Sequence, residues 1–390
     1  MSSRDWKRYK LGDLVDNSRG ISYGIVQPGE FLSEGGVPIL KVNNLTENKT
    51  TINDVFRVAK SVESKYERTR LRGDEILVSL VGSLGYVFKT KEEHIGWNVV
   101  RAIGVLPVKK GVNRDWIYWY LKSPEIQTAI QNNATVTVQA TLNLKELREI
   151  EVPIPDENTQ RTIVSILSSL EEKIELNFQA NLTLESIAQS IFKEWFVNFN
   201  FPGVTGEMAE SEMGMIPKGW KVVSLGEITD LTWGDTKTTK QSYIDEGFPA
   251  YSASGQDGYL PYYDFDRSGV VVSAIGAYAG KTWLVSGKWS CIKNTIRFWS
   301  IDENISNEYL YLYTQSENFW TLRGSAQPFI SQTDSRNAKV IYPDNGLAKL
   351  YGEIVRVLFE QIKNNEQQSF TLAKIRDALL PKLMNGEIEI

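Results

Sequence analysis

Two stretches of the sequence carry residue types that do chemistry. SAIGAYAGKTW, residues 273–283, follows the apolar run Val270-Val271-Val272 and ends in Gly280-Lys281-Thr282. A strand, a glycine loop and Gly-Lys-Thr open a phosphate-binding loop, whose backbone N–H groups cradle a nucleotide. The spacing here is short by one: Gly276 and Gly280 enclose three residues where the cradle has four. The other stretch is Pro155-Asp156 followed by Glu171-Glu172-Lys173, the residue types of a nuclease metal site. That site needs its Glu-x-Lys on a strand beside the aspartate, and here it falls in a helical pattern. The one histidine, His94, lies in the polar segment Lys91-Glu92-Glu93-His94 and is expected at the surface. The one cysteine, Cys291, excludes an intrachain disulfide, and a lone histidine excludes a His-rich metal cluster. No Asn/Asp-Pro-Pro-Tyr/Phe methyl-transfer motif and no helicase motor set occurs. No catalytic or metal-ligating residue is therefore assigned.

The elements that position these stretches repeat along the chain. Trp6-Lys7 before Leu11-Gly12-Asp13-Leu14 returns as Trp220-Lys221 before Leu225-Gly226-Glu227-Ile228. Ser79–Gly82 returns as Ser273–Gly276, Asn98–Arg101 as Asn294–Arg297, Trp116–Tyr120 as Tyr309–Tyr313, and Pro155-Asp156 as Pro343-Asp344. The order is common to both copies. The offset falls from 214 at Trp6/Trp220 to 188 at Pro155/Pro343, so the copies differ mostly in variable loops.

Each copy ends in a heptad seam. Ile163, Leu167, Leu170, Ile174, Asn177, Asn181, Leu184, Ala188, Ile191 and Trp195 step by fours and threes. Adding 188 gives Tyr351, Val355, Leu358, Ile362, Asn365, Ser369, Leu372, Arg376, Leu379 and Leu383, with the polar middle repeated. A buried Asn costs stability and fixes register, because a slipped pairing leaves its amide unsatisfied. The matching seams predict two helices of roughly 38 residues, about 57 Å each, packed on each other as an antiparallel coiled coil. Two separate core helices are the plainer alternative.

The predicted fold class is α+β: two similar strand-rich domains, each followed by a long helix, in pseudo-twofold arrangement. The expected boundaries are 1–156, the helix 157–198, a linker 199–219, the second domain 220–344 and the C-terminal helix 345–390. Strands are expected at Val37–Val42, Ile76–Val81, Tyr86–Phe88 and Val99–Val105, and again at Val270–Ile275, Thr282–Val285 and Ile296–Trp299. Short helices are expected at Asp115–Leu121 and Asn307–Tyr313, each starting on its own cap.

Net charge is −5, yet its distribution leaves room for a polyanionic partner. Residues 1–156 hold 22 Lys/Arg against 19 Asp/Glu, and 157–216 hold 3 against 9. The acid thus sits largely in the first helix and linker. Aromatics stand beside Asn, Lys and Arg, the residues that read base edges. The candidates for DNA contact are Lys41, Asn43, Asn44, Gly82, Ser83, Gly85, Trp97, Asn98 and Arg101 in the first copy. In the second they are Lys237, Thr238, Lys240, Gly276, Lys281, Lys293, Asn294 and Arg297. Lys41–Asn44 leaves a strand for a polar loop, and Thr236–Gln241 resembles it; each reads equally as a readout loop or a solvated turn. Tyr and Trp beside strands are more often core or rim packing than contact residues.

The order of motifs resembles the specificity subunit of type I restriction–modification systems. The residues that carry the resemblance are Trp6-Lys7…Leu11-Gly12-Asp13, Gly73–Ser79, Gly82-x-x-Gly85, Pro153–Pro155 before Gln160, the long helix, Ile216–Trp220, and Leu379–Leu383 with Asn385–Ile388. It spans nearly the whole chain. One departure is Ile341–Gly346, which lacks the usual Gln. The family implies a non-catalytic DNA-binding subunit whose two recognition domains each read half of a split site. It implies double-stranded DNA, two methyltransferase subunits and a restriction/motor subunit as partners. S-adenosylmethionine, ATP and Mg are expected on those partners, not on this chain. No apolar run is long enough to span a bilayer, and a cytoplasmic location is expected. The competing readings are a protein-binding scaffold with paired domains and a standalone ATPase built on residues 273–283.

Overall fold

The run Glu75–Ser79 is buried at every position, as expected of a central strand covered on both faces. Its counterpart Gly269–Ser273 is also buried throughout. Around these two runs the computed structural model builds two domains of one topology. It describes residues 6–46, 55–132, 141–343, 346–388 and 390. The expected boundary at 344/345 lies outside the described residues. Two compact units emerge: Met1–Leu176 with Gln368–Ile390, and Asn177–Gln367.

In the first unit, Glu75–Ser79 lies between Ile103–Pro107 and Val87–Lys89, with Ser22–Tyr23 at the edge. A second sheet pairs Val37–Leu40 antiparallel with Phe56–Val58 and parallel with Asn98–Val99. In the second unit, Gly269–Ser273 lies between Thr295–Ser300 and Thr282–Val285, with Thr229–Trp233 at the edge. Its second sheet pairs Phe248–Ser252 antiparallel with Gly255–Leu260 and parallel with Lys288–Cys291. A two-stranded ladder closes each domain: Lys7–Lys10 with Glu151–Ile154, and Lys221–Ser224 with Lys339–Tyr342.

Pairing also corrects the alignment of the copies. Ser79 pairs with Ile103, and Ser273 pairs with Thr295. Two residues before these partners, Arg101 aligns with Lys293. The likeness of Asn98–Arg101 to Asn294–Arg297 is therefore out of register by four. The expected strand Val99–Val105 is two strands, broken at the turn that bears Arg101. Lys41–Asn44 does not enter a loop: Val42–Thr46 is a short helix, and Asn44 Oδ1 accepts from Lys41 N at 2.7 Å. The second short helix has the expected bounds, Asn307–Tyr313, and the first, Arg114–Lys122, is one residue longer at each end; their caps lie one and two residues before the expected ones. Asn113 caps Arg114–Lys122 by accepting from Asp115 N and Trp116 N, and Ser306 caps Asn307–Tyr313. The linker contains a hairpin, Met208–Ser211 with Gly214–Pro217.

The long helices run Glu157–Phe192 and Leu347–Met384. Every seam position is buried or half-buried. Within the second unit, Tyr351 OH donates to Ala188 O at 2.9 Å, and Asn365 Nδ2 donates to Asn181 Oδ1 at 2.8 Å. Asn177 Nδ2 donates to Asn365 O, and Gln361 Nε2 to Asn365 Oδ1. Within the first unit, Glu171 takes Lys122 Nζ at 3.0 Å and pairs with Arg376. Leu380, Leu383 and Met384 share a core with Ile163 and Leu167. Early residues of one helix thus meet late residues of the other, and the pairing is antiparallel. Gln160, at the first helix's start, closes onto Pro155 O at 2.8 Å.

His94 is not at the surface. It is fully buried, edge-on to Phe88 and Trp97, and its Nδ1 accepts from Lys91 N at 3.0 Å. Its polar neighbours in sequence disguised an inward ring at the end of a single 3₁₀ turn. Nε2 has no hydrogen bond; Glu93 Oε1 stands 3.8 Å away. Burial pushes its pKa below the ordinary 6.5. As pH falls, the unfolded chain takes up the proton first. The stability His94 contributes is therefore present above pH ~6.5 and is lost as pH falls through the lowered folded value. Melting temperatures at pH 7.5 and 5.0 are expected to differ more for the natural chain than for His94→Gln.

Candidate nucleic-acid interface

In each domain the same backbone hydrogen bonds gather five segments at one edge. Leu80 N donates to Ala102 O, and Ala274 N to Asn294 O. Val100 N donates to Leu40 O, and Ile292 N to Tyr251 O. Ile25 N donates to Val99 O, and Asp235 N to Cys291 O. Val81 bridges Thr141, and Ile275 bridges Phe329. The turn bearing Arg101 or Lys293 thereby sits beside the glycine loop and the segment after Ile25 or Asp235. Arg101 and Lys293 are both exposed.

The glycine loops are hairpin turns. Gly85 N donates to Ser79 O, and Gly280 N to Ser273 O. Gly82, Gly85, Gly276 and Gly280 have φ of 78°, 81°, 92° and 92°, where other residues are strained. Ser79 Oγ donates to Ser83 O and accepts from Tyr86 N. The second loop is one residue longer, and its Ser273 Oγ has no partner. Gly-Lys-Thr leads here into the strand Thr282–Val285, not into a helix N-terminus where phosphate would bind. Thr282 is buried with its hydroxyl unpartnered, and Lys281 Nζ lies over the rings of Tyr278 and Trp283. This geometry lacks the parts of a nucleotide site. Nor do Asp156 and Glu171 form a nuclease centre. Asp156 caps the first helix, its carboxyl held below the usual range by Thr159, and Glu171 is spent on Lys122 and Arg376. Among the described residues no group of three His, Cys, Asp or Glu is placed to hold a metal.

Several sequence candidates are committed to the fold. Asn98 is fully buried: its Oδ1 accepts from Thr69 and Val99 N, and its Nδ2 donates to Glu63 and Tyr66 O. Trp97 packs against His94, and Gly85 takes Gln127 Nε2 on its carbonyl. Asn44 and Thr238 are buried, Thr238 bonded to Asp235 and Tyr262. Arg297 pairs with Asp230 at 2.9 Å beneath Trp299. Burial and internal contacts tie Asn98, Trp97, Gly85, Asn44 and Thr238 into the fold, and Arg297 is half-buried. Asn43, Gly82, Ser83, Arg101, Lys237, Lys240, Lys281, Lys293 and Asn294 are exposed; Lys41 and Gly276 are half-buried.

Sequence reasoning missed residues that cross-strand pairing delivers. Phe31 and Phe56 hold Lys41 Nζ at 4.0 and 3.4 Å from their ring centres, and burial lowers its pKa. Asp257 receives Tyr243 OH, Ser252 Oγ and Lys240 Nζ. Burial alone pushes its carboxyl up, and these donors outweigh that, holding it low. No local motif marks either group.

Two strand-rich domains of one topology, each feeding a seam helix, match a known class. The sequence profile described as type I restriction modification DNA specificity domain covers residues 3–186 and 217–372. The chain belongs to that family. It is similar to the specificity subunit of the MjaIX type I restriction enzyme of Methanocaldococcus jannaschii, 26% identical over 316 residues, 72% of this chain and 71% of that one. It is 24% identical to the HindI specificity subunit of Haemophilus influenzae over 98% of this chain and 100% of that one. Its fold is like the crystal structure of the S subunit from M. genitalium, with TM-score 0.61 at 18% identity, covering 97% and 96% of the two chains. No helix among the described residues is long and apolar enough to cross a membrane.

Asn98→Ala strands Thr69 and Glu63 in the interior and is expected to cost about 1–3 kcal/mol, read as a lower melting temperature. Arg101→Ala is expected to leave melting unchanged.

Proposed function

We propose that this chain is the non-catalytic subunit that reads a bipartite DNA site, one half per domain, and brings methyltransferase and restriction subunits to it. The observation that carries the reading is the repeated edge. One backbone frame presents Arg101 and the Gly82–Gly85 loop in one domain, and Lys293 and the Gly276–Gly280 loop in the other. A constant frame with different exposed side chains suits a reader of two unlike half-sites. Cations at equivalent turns suit phosphate contacts, which position a domain without reading sequence.

Two further features support the partners. Leu182 and Ile187 are exposed at 47% and 43%, and their equivalents by the 188-residue offset, Phe370 and Ile375, at 47% and 43%. Exposed apolar side chains at equivalent positions of the two helices suit two copies of one partner, the methyltransferase subunit. The first domain has a small excess of Lys and Arg and the second a small excess of Asp and Glu, which leaves part of the DNA affinity to those subunits. S-adenosylmethionine, ATP and Mg belong on the partners in this reading, which places the complex with the DNA of the cytoplasm. The antiparallel seam sets the distance between half-sites.

The isolated chain is expected to bind its DNA at least about tenfold more weakly than the methyltransferase complex; equal affinity and specificity without the partner, in a titration at fixed salt, would sink this. Within the complex, Arg101→Ala and Lys293→Ala are each expected to lower the salt slope of binding by about 1, on all sequences alike. Inserting or deleting one helical turn near Asn177 is expected to change the unread spacer and keep both half-sites, as mapped by modified-base sequencing of an expressing host. Altered half-sites at an unchanged spacer would count against it.

A further inference from the structure

The second sheets of the two domains can be aligned residue by residue through their hydrogen bonds. Val100 N meets Leu40 O where Ile292 N meets Tyr251 O, so Lys41 aligns with Ser252. Ile39 pairs with Phe56 where Ala250 pairs with Gly258, so Phe56 aligns with Gly258. Leu32 N meets Arg57 O where Ile244 N meets Tyr259 O, so Phe31 aligns with Tyr243. These residues occupy one node of the scaffold, filled with opposite chemistry in the two domains.

In the first domain the node is a clasped cation. Phe31 and Phe56 lie 4.8 Å apart, 40% and 45% exposed, with Lys41 Nζ over both rings. Among the described residues Lys41 Nζ makes no hydrogen bond or ion pair, so its three donors remain available. The rings hold the side chain in one place and remove much of the rotamer freedom that contact would otherwise cost.

In the second domain the node is a fed carboxylate. The register slips between Ala250 and Tyr251: Ala250 pairs with Gly258 and Tyr251 with Gln256. Asp257 is left as the extra residue of a β-bulge, a device that re-aims a side chain. A Cβ at position 258 would come within 1.9 Å of the Tyr243 ring, so the glycine admits that ring, and Tyr243 OH donates to Asp257 Oδ1 at 2.9 Å. Ser252 Oγ donates to Oδ2 at 2.6 Å, and Lys240 also reaches Oδ2. A carboxylate offers about four lone-pair sites, so Oδ1 keeps one for a further donor.

We propose that this node is the specificity-determining position of both domains: Lys41 donates to the acceptor edge of a guanine in one half-site, and Asp257 accepts from the exocyclic amino group of a cytosine or adenine in the other. The inference rests on the bipartite-reader function. Lysine with guanine O6/N7 and carboxylate with cytosine N4 are the pairings base-edge geometry favours. Phe31 and Phe56 are positioning residues, as are Tyr243 and Ser252. The scaffold is common, and the sign of hydrogen bonding at one point differs.

The test uses the full chain assembled with its methyltransferase subunits, with methylated sites mapped in an expressing host. Lys41→Gln is expected to change or relax one base pair of one half-site, leaving the other half-site and the spacer intact. Asp257→Asn is expected to do the same in the other half-site only. In vitro, each purified complex should lose about ten- to a hundredfold in cognate affinity and keep its melting temperature and its affinity for unrelated DNA. Lys41→Arg retains the donors and should keep the half-site. Phe31→Leu should weaken cognate binding with the half-site sequence unchanged. Equal losses on cognate and unrelated DNA, or unchanged half-sites with both Lys41→Gln and Asp257→Asn, overturn the proposal. Should the natural complex methylate no split site, the bipartite reading itself falls, and the node with it.

Discussion

One amide holds the register on which the rest depends. Asn365 sits at the polar middle of the seam, donating to Asn181, accepting from Gln361, and lending its backbone carbonyl to Asn177. Leucine at these positions would pack in several registers of a heptad repeat. Amides satisfied by particular partners across the seam admit one. Each helix emerges directly from a domain, so the register decides which residues of the two helices face each other. Stability is given up in a polar core layer and a single register is gained.

The two domains show what a scaffold must conserve and what it can release. Positive-φ glycines, the parallel strand pair and the aromatic on the short helix recur, because each satisfies a backbone need. Trp116 Nε1 and Tyr309 OH, different groups at equivalent positions, both donate to a carbonyl of the closing ladder, Pro153 and Ile341. The helix contacts diverge more freely. In the first unit Glu171 joins Lys122 and Arg376, while the equivalent site in the second is the ring pair Tyr311 and Phe359, 5.7 Å apart. Ionic and aromatic solutions fill the same place.

Much of this was legible in the sequence. The doubled order of motifs and the heptad seam are periodic signals that survive without any tertiary information, and they carried the fold class. The candidate site was legible only in part. The Asn-Arg echo misled because matching letters four residues out of register looked better than the true equivalence of Arg101 with Lys293, which only strand pairing fixes. Asn98 read as a DNA-contact candidate and His94 as a surface residue; one is buried in a hydrogen-bond network and the other fills an aromatic pocket. Phe31, Phe56 and Asp257 left no signal, since their meeting depends on cross-strand neighbours and a bulge. The glycine loop resembled a nucleotide cradle because both demand positive φ and small residues, though one precedes a helix and the other a strand.

The closing ladders have a consequence for how such chains change over time. Each domain enters and leaves through four paired residues, Lys7–Lys10 against Glu151–Ile154 and Lys221–Ser224 against Lys339–Tyr342. Those pairings are made by main-chain atoms, which any sequence supplies. A domain is therefore a cassette with a generic zipper at its neck. A replaced domain finds the same main-chain neck, while its contacts to the helix, such as Lys122 with Glu171 and Tyr311 with Phe359, must be matched side chain by side chain.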